Sequence, residues 1–327
     1  MLDWGQMVPA TKRQLILGWV ATGICIAIAS LWAFWGTIEA FHEGWWQPTL
    51  GGRVTYALLY LTPMAAVLLL TILAIRVPKL GALLFFAGGA WFSWFIFANR
   101  WPDIDLAAVL SWLPVTVAVV AVGFVWWLGR PEPRWLAWLL AAGIPLLLVL
   151  VLAVEPLWRV SHRIDDGDRG ARLVRGNGVA LVWAPAGPGW VTDADHAVSW
   201  DEARDICAHL GPYGETLSDT PLDVWRLPTI EEAVRSMARH GVNCGGVWDP
   251  ERGVATYDTR PDKESPLWIP YSETIYWWTA TEAGDDRAWR IVYSGAVYRM
   301  RKDLAMGSQG FRAVREPTPD ELAGLAD

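Results

Sequence analysis

The residues able to hold a metal or attack a substrate are few and scattered. The second half of the chain carries His162, His196, His209, His240, Cys207 and Cys244. None of these histidines stands at the short repeated spacing of a zinc site, which predicts surface or structural imidazoles and no metal. Asp165-Asp166-Gly167-Asp168 is dense in acid but lacks the further oxygen ligands and the late Glu of a calcium loop, so it reads as a solvated turn. Ser199 is followed by Trp200-Asp201-Glu202, the signature of a helix cap, and no Gly-x-Ser-x-Gly elbow accompanies it. No Walker-type phosphate loop is present either. What remains is surface chemistry. Trp277, Trp278, Trp289 and Tyr298 share the C-terminal strands with Arg299, Arg301 and Arg312. Aromatic faces suit sugar rings and guanidinium groups suit anions, which makes these seven the candidate ligand-binding residues.

The elements that must position them begin after a composition break near Trp158. Before it, apolar runs alternate with short polar loops; after it, the chain is charged and punctuated by Gly and Pro. The expected domains are therefore 1–158 in a membrane and 159–327 in water. In the second, Gly176-Asn177-Gly178 predicts a hairpin between strands 171–175 and 179–183, because Asn-Gly tolerates positive φ. Ser199 with Glu202, and Thr229 with Glu232, are capping boxes that open two helices. The first buries Trp200, Ala203, Ile206, Cys207 and Leu210 and stops at Gly211. The second buries Ala233, Val234, Met237 and Ala238 and stops at Gly241. Strands follow at 276–281, 288–293, 296–301 and 310–315, with Ser294-Gly295 as a tight turn. The Asp/Pro/Gly-rich stretch 243–274 is a long loop, a common place for function.

About five segments of the first half are long and apolar enough to cross a ~30 Å hydrocarbon core: 14–35, 54–75, 80–98, 106–128 and 135–154. Their interiors carry no Asp, Glu, Lys, Arg or His, which argues for an anchor or assembly platform over a transporter. Pro63, Pro114 and Pro145 could kink them. Lys12, Arg13, Arg76, Lys79, Arg130 and Arg134 fall on alternate loops, and this bias puts the N-terminus in the cytoplasm. An odd number of spans then exports the C-terminal domain. Trp35, Trp45, Trp46, Trp101, Trp126, Trp127, Trp135 and Trp158 fall near span ends, as an interfacial belt would.

Three blocks in the second half carry a family resemblance. They are Val198-Ser199-Trp200-Asp201-Glu202-Ala203 with Cys207 beyond it; Trp225-Arg226-Leu227-Pro228-Thr229 with Glu232; and Tyr276-Trp277-Trp278-Thr279-Ala280-Thr281, continued by Ala288-Trp289 and Gly310-Phe311-Arg312-Ala313-Val314-Arg315. Over residues 170–316 this resembles the formylglycine-generating-enzyme and sulfatase-modifying-factor superfamily. Within it the resemblance is strongest to the DUF1566 branch, related to the C-terminal domain of a collagen-like adhesin. The resemblance implies an α+β, C-type-lectin-like fold behind the α-helical membrane domain. It makes Ser199, Trp200, Glu202, Trp225, Arg226, Pro228, Thr229 and Glu232 architectural residues, with Arg226 able to form a bidentate pair with a carboxylate. The oxidase branch of that superfamily uses a close late pair of cysteines; here no Cys follows Cys244, so formylglycine chemistry is not expected.

The expectation is thus a bacterial inner-membrane protein whose exported lectin-like domain binds or senses a ligand. That ligand is an envelope glycan, an anionic polymer or a protein partner, and no cofactor is expected. The alternatives are a divergent enzyme on the same fold and a subunit of a membrane complex. A net charge of −7 argues against nucleic acid. In an oxidising compartment Cys207 and Cys244 are candidates for a disulfide.

Overall fold

The computed structural model describes residues 10–43, 45–100, 106–192 and 197–323, so Trp101 and His196 lie outside the described residues. The chain divides into two compact units. One contains the residues up to Gly44 and Val54–Leu157; the other contains Trp45–Arg53 and Trp158 onward.

The first unit is helical: α1 (Lys12–His42), α2 (Leu50–Tyr60), α3 (Thr62–Arg76), α4 (Pro78–Arg100), α5 (Leu106–Leu128) and α6 (Arg134–Ser161). Four of these are long and apolar enough to cross a membrane, and α2 with α3 make a fifth if the bent pair is one span. The expected second span is thus broken, with a 57° bend. Pro63 is the cause, since it opens α3 without an N–H and its ring clashes with a carbonyl one turn back. Gly36 of α1 makes room at the break, where a Cβ would stand 2.6 Å from the Tyr60 carbonyl oxygen. Pro114 and Pro145, by contrast, sit inside continuous helices. The bundle core is built on Ala21, Cys25, Ala74, Ile75, Phe85 and Trp126. Trp126 is fully buried there, so it packs the bundle and does not belong to an interfacial belt. Trp35, Trp127, Trp135 and Trp158 are exposed.

The second unit opens with the hairpin β1 (Arg172–Gly176) and β2 (Val179–Trp183). Asn177 and Gly178 turn it with positive φ of 51° and 82°. Helices α7 (Trp200–His209) and α8 (Ile230–Ser236) follow, each with its complete capping box. Next come the short hairpins β3 (Ala238–Arg239) with β4 (Val242–Asn243), and β5 (Val247–Asp249) with β6 (Val254–Thr256). The domain closes with β7 (Tyr276–Glu282), β8 (Arg287–Val292), β9 (Val297–Arg301), β10 (Gln309–Gly310), β11 (Val314–Arg315) and the short α9 (Pro319–Ala323).

Two expected elements differ. The second helix ends at Ser236, not at Gly241. Met237 and Ala238 leave it as extended chain, and His240-Gly241 turns the β3–β4 hairpin with positive φ at both residues. The expected last strand is split. β10 pairs in parallel with β7, while β11 pairs with β2, so Phe311–Ala313 carries the chain from one sheet to the other.

The four-stranded sheet runs β10-β7-β8-β9 and is covered on both faces. Successive residues of a strand point to opposite faces. Trp277, Ile291 and Trp289 thus enter one core with α8, and Trp278, Ala288 and Met300 enter another with α7. The first core stacks indoles directly: Trp268 lies 3.5 Å from Trp277 at 9°, and Trp183 packs against the same ring at 5.6 Å. Such pairs contribute roughly 0.5–1.5 kcal/mol beyond their buried area.

Candidate functional site

The three sequence blocks meet in space through backbone carbonyls. The Trp200 indole donates to the Thr279 carbonyl at 2.7 Å, and Trp278 donates to the Val198 carbonyl at 3.0 Å. Ala280 donates its N–H to the Pro228 carbonyl at 2.8 Å. Arg226 and Val314 exchange backbone bonds at 2.9 and 2.8 Å. The capping glutamate has a second role. Glu232 accepts the Thr229 N–H at 2.8 Å and also takes the Arg226 guanidinium end-on, through Nη1 and Nη2 at 2.7 and 2.8 Å. Burial pushes the Glu232 carboxyl up, but the Arg226 and Thr229 bonds outweigh it and hold the group below its ordinary range.

This frame supports an open groove. Its first part, a cleft of about 480 Å³, is lined by Asp201, Arg204 and Asp205 on the outer side of α7, by Asp223 and Arg226 opposite, and by Trp225, Leu227 and Cys207 beneath. Its second part, about 620 Å³, shares Asp223 and Arg226 and runs on past Tyr213, Val224, Arg315 and Glu321. Tyr213 is 83% exposed. Asp223 stands between the two with φ of 52°, a left-handed conformation that side chains other than those of Gly, Asn and Asp rarely adopt. The Ala208 carbonyl fixes it there by accepting the N–H groups of both Leu222 and Asp223.

The charges around the groove are unequal. Arg226 is held by Glu232 and, at 2.8 Å, by Glu316. Arg315 is held by Glu321 at 2.6 Å, and that pair together with the Thr318 backbone brings Glu321 down to about 2. The carboxylates of Asp201, Asp205 and Asp223 are exposed to solvent. The groove therefore presents hydrogen-bond acceptors, while two of its three guanidinium groups are already satisfied. Cys207 is no nucleophile here, because burial pushes its thiol far above the ordinary range.

The seven candidate binding residues do not form one site. Trp277, Trp278 and Trp289 are core residues of the doubly covered sheet, and Arg312 is fully buried. Arg312 lies 3.5 Å over the Trp190 ring and donates to the carbonyls of Ala184, Pro266 and Leu267, so it clamps three chain segments. Tyr298 is exposed beside Arg290 on one sheet face. Arg299 stacks on Trp289, its partner in register, on the other face. Arg301 is exposed and paired with Asp303 at 2.5 Å. The architectural assignments stand differently: Ser199 and Thr229 cap, Trp200 and Trp225 are buried, and Arg226 makes its bidentate pair. Cys207 and Cys244 are free and belong to different cores, so the candidate disulfide is not formed. No group of three or more metal-binding side chains occurs among the described residues.

Sequence reasoning also passed over a buried ionic cluster in 243–274. One oxygen of Asp262 accepts from Arg159 at 2.9 Å, from Arg163 at 2.8 and 3.1 Å, and from the Lys263 N–H at 2.7 Å. Lys263 itself is fully buried and donates to the Ser272 carbonyl; burial holds its ammonium well below the ordinary lysine range. Glu264, also buried, accepts the Ile164 N–H at 2.9 Å and that of His240. The only sequence signal was the run Asp262-Lys263-Glu264 itself, which composition alone reads as solvated.

Comparison with protein-family models, curated proteins and solved structures gives no match to this chain.

Proposed function

We propose that the chain is a membrane-anchored binding or sensing protein of the bacterial envelope. Its C-terminal domain, of the C-type-lectin-like, sulfatase-modifying-factor kind, faces the periplasm and takes a polyhydroxylated, glycan-type ligand in the Asp223–Arg226 groove. The observation that carries this reading is the groove itself: solvent-facing carboxylates, an exposed Tyr213 ring, and a left-handed Asp223 where the two parts join. Carboxylates accept hydroxyl protons and a flat ring stacks on a sugar face, so the groove suits a glycan better than an anionic polymer. The interlocking of the three sequence blocks through Trp200, Trp278 and Arg226 supports the lectin-like fold.

The helical unit supports the export. The start of α1, the α3–α4 junction and the α5–α6 loop line one cleft, although α1 runs 31 residues away from it, about 46 Å at 1.5 Å per residue. This supports reading the bent pair α2–α3 as the return crossing. Five crossings with the basic end in the cytoplasm are the arrangement that would export the C-terminal domain.

The test is titration of the full chain in mild detergent with a panel of envelope-type oligosaccharides, alongside the variants Y213A, D223A and R301A. Saturable binding that weakens at least about tenfold, or about 1.4 kcal/mol, in Y213A and D223A but not in R301A is expected. Binding unaffected by Y213A and D223A, or absent across the panel, overturns the groove as the site. A stoichiometric transition metal in the purified protein would favour the enzyme alternative.

A further inference from the structure

One cleft of the helical unit has a different chemistry from anything in the C-terminal domain. It encloses about 350 Å³ and is lined by Gln14 from α1, Arg76, Pro78 and Lys79 at the α3–α4 junction, Trp127 at the end of α5, and Arg130 and Arg134 where α6 begins. Four cationic side chains face one space, and among the described residues no carboxylate lines it. Nearby, Glu132 pairs with one of them, Arg130, at 3.6 Å. Lys79 sits 6.0 Å over the Trp127 ring. Two long helices, α4 and α6, begin here, and their N-terminal dipole ends add positive potential.

The cleft is built, not incidental. Arg130 donates its N–H to the Gln14 carbonyl at 2.9 Å, and the Trp19 indole donates to the Glu132 carbonyl at 3.1 Å. The 129–130 backbone lies directly on α1: a Cβ on Gly129 would stand 2.4 Å from the Gly18 nitrogen, and one on Gly18 would stand 2.1 Å from the Arg130 carbonyl carbon. Only glycine at both positions permits this approach. At the α3–α4 turn, a Cβ on Gly81 would meet Ala74 at 2.3 Å. The fold thus fixes like charges together at the level where the apolar helices end.

We propose that this cleft binds a phosphate-bearing anion, with the phosphodiester headgroup of an anionic membrane lipid as the source its position favours. Guanidinium groups take phosphate oxygens side-on, an ammonium adds a compact charge, and an indole suits the interface. Basic pockets between helices at a membrane surface recognise such headgroups by the same chemistry. This site is independent of the reading given to the C-terminal groove.

The experiment uses the full chain in nanodiscs of phosphatidylcholine with increasing phosphatidylglycerol. Lipid retained after extraction is counted by native mass spectrometry. Three proteins are compared: wild type, Arg76→Gln/Lys79→Gln, and Lys12→Gln/Arg13→Gln. The last removes two exposed charges at the start of α1 without touching the cleft lining. Wild type and the Lys12/Arg13 variant are expected to retain phosphatidylglycerol over phosphatidylcholine. The Arg76/Lys79 variant should lose roughly fivefold of that preference per charge removed. A second arm adds inorganic phosphate to detergent-solubilised protein and reads thermal stabilisation. Stabilisation by phosphate without lipid retention assigns the cleft to a soluble phosphate, and retention of lipid assigns it to the headgroup. Equal loss in both charge variants would show diffuse surface attraction and overturn the proposal, as would no preference and no stabilisation by phosphate. Should the double variant fold poorly, Arg134→Gln alone carries the same comparison.

Discussion

Replacing Asp262 by Asn isolates the electrostatics of the buried cluster. The Arg159, Arg163 and Asp262 side chains are only 6%, 4% and 2% exposed, and a single carboxylate oxygen receives three of their hydrogen bonds. Asn keeps the shape and removes the charge. Two guanidinium groups then remain in a medium that solvates them poorly, and breaking a buried pair in this way costs about 3–5 kcal/mol. For a domain of this size each kcal/mol moves the melting temperature by about 2–4 °C, so the expected loss is about 6–20 °C. The assay is thermal unfolding of the full chain in detergent, followed by near-UV circular dichroism. D303N is the control: its carboxylate pairs with Arg301 in full contact with water, so its melting temperature should match wild type. The pH dependence has a definite sign. Burial alone would raise the Asp262 carboxyl, but Arg163, Arg159 and the Lys263 amide hold it below its ordinary range. Its contribution is complete above the ordinary aspartate value of about 3.9 and is lost as pH falls through the lowered folded value. The gap between wild type and D262N should therefore narrow in acid. A D262N loss below about 1 kcal/mol, or a gap that widens in acid, would refute the reasoning.

Thr229→Ala should cost about 1 kcal/mol from the lost cap, read by denaturant midpoint, and more than Ser199→Ala because Glu232 also orients Arg226. Asp223→Gly removes left-handed strain and should raise the melting temperature slightly while weakening the ligand in the groove; a drop in both would mean that Asp223 is only structural. Cys207 and Cys244 should resist thiol labelling in the folded protein and label fully on denaturation. Burial pushes Cys207 far up and Cys244 to about 11, and a shift between reducing and non-reducing gels would contradict the free thiols. A compartment-sensitive reporter fused after Asp327 should signal outside the cytoplasm, and a cytoplasmic signal would make α2–α3 a re-entrant pair.

Local signals were legible in the sequence where one short rule governs. Asn177-Gly178, Ser199 with Glu202 and Thr229 with Glu232 each specify their turn or cap through one or two backbone bonds, and each forms. The second helix outran its rule. Met237 and Ala238 fit the apolar stripe, but they are buried as extended chain because the β3–β4 hairpin packs there instead. The break before Pro63 and the split of the last strand depend on where Gly36 and β2 lie in space, which no local pattern contains. The candidate groove was legible only in part. Arg226 and Trp225 belong to a recognisable block, whereas Asp223 and Tyr213 draw their interest from backbone strain and exposure, which are tertiary properties.

The error over the aromatic surface has a single physical root. Trp277 and Trp278 are neighbours on one strand, and on a sheet with a wet face one of them would be exposed. Both are buried because α7 covers one face and α8 with the stacked indoles covers the other. Two adjacent large apolar residues in a strand are therefore a sign of a doubly covered sheet. The arginines follow the same logic. Arg312, 3.5 Å over Trp190, and Arg290, 3.8 Å over Tyr276, sit over rings and direct N–H groups to carbonyl or amide oxygens. A guanidinium plane can fill space between aromatic faces in a way that an ammonium cannot. In a domain this rich in tryptophan, that packing role claims the arginines nearest the rings. The groups turned toward a ligand are those the core did not need, the exposed Asp201 and Asp223 of the cleft.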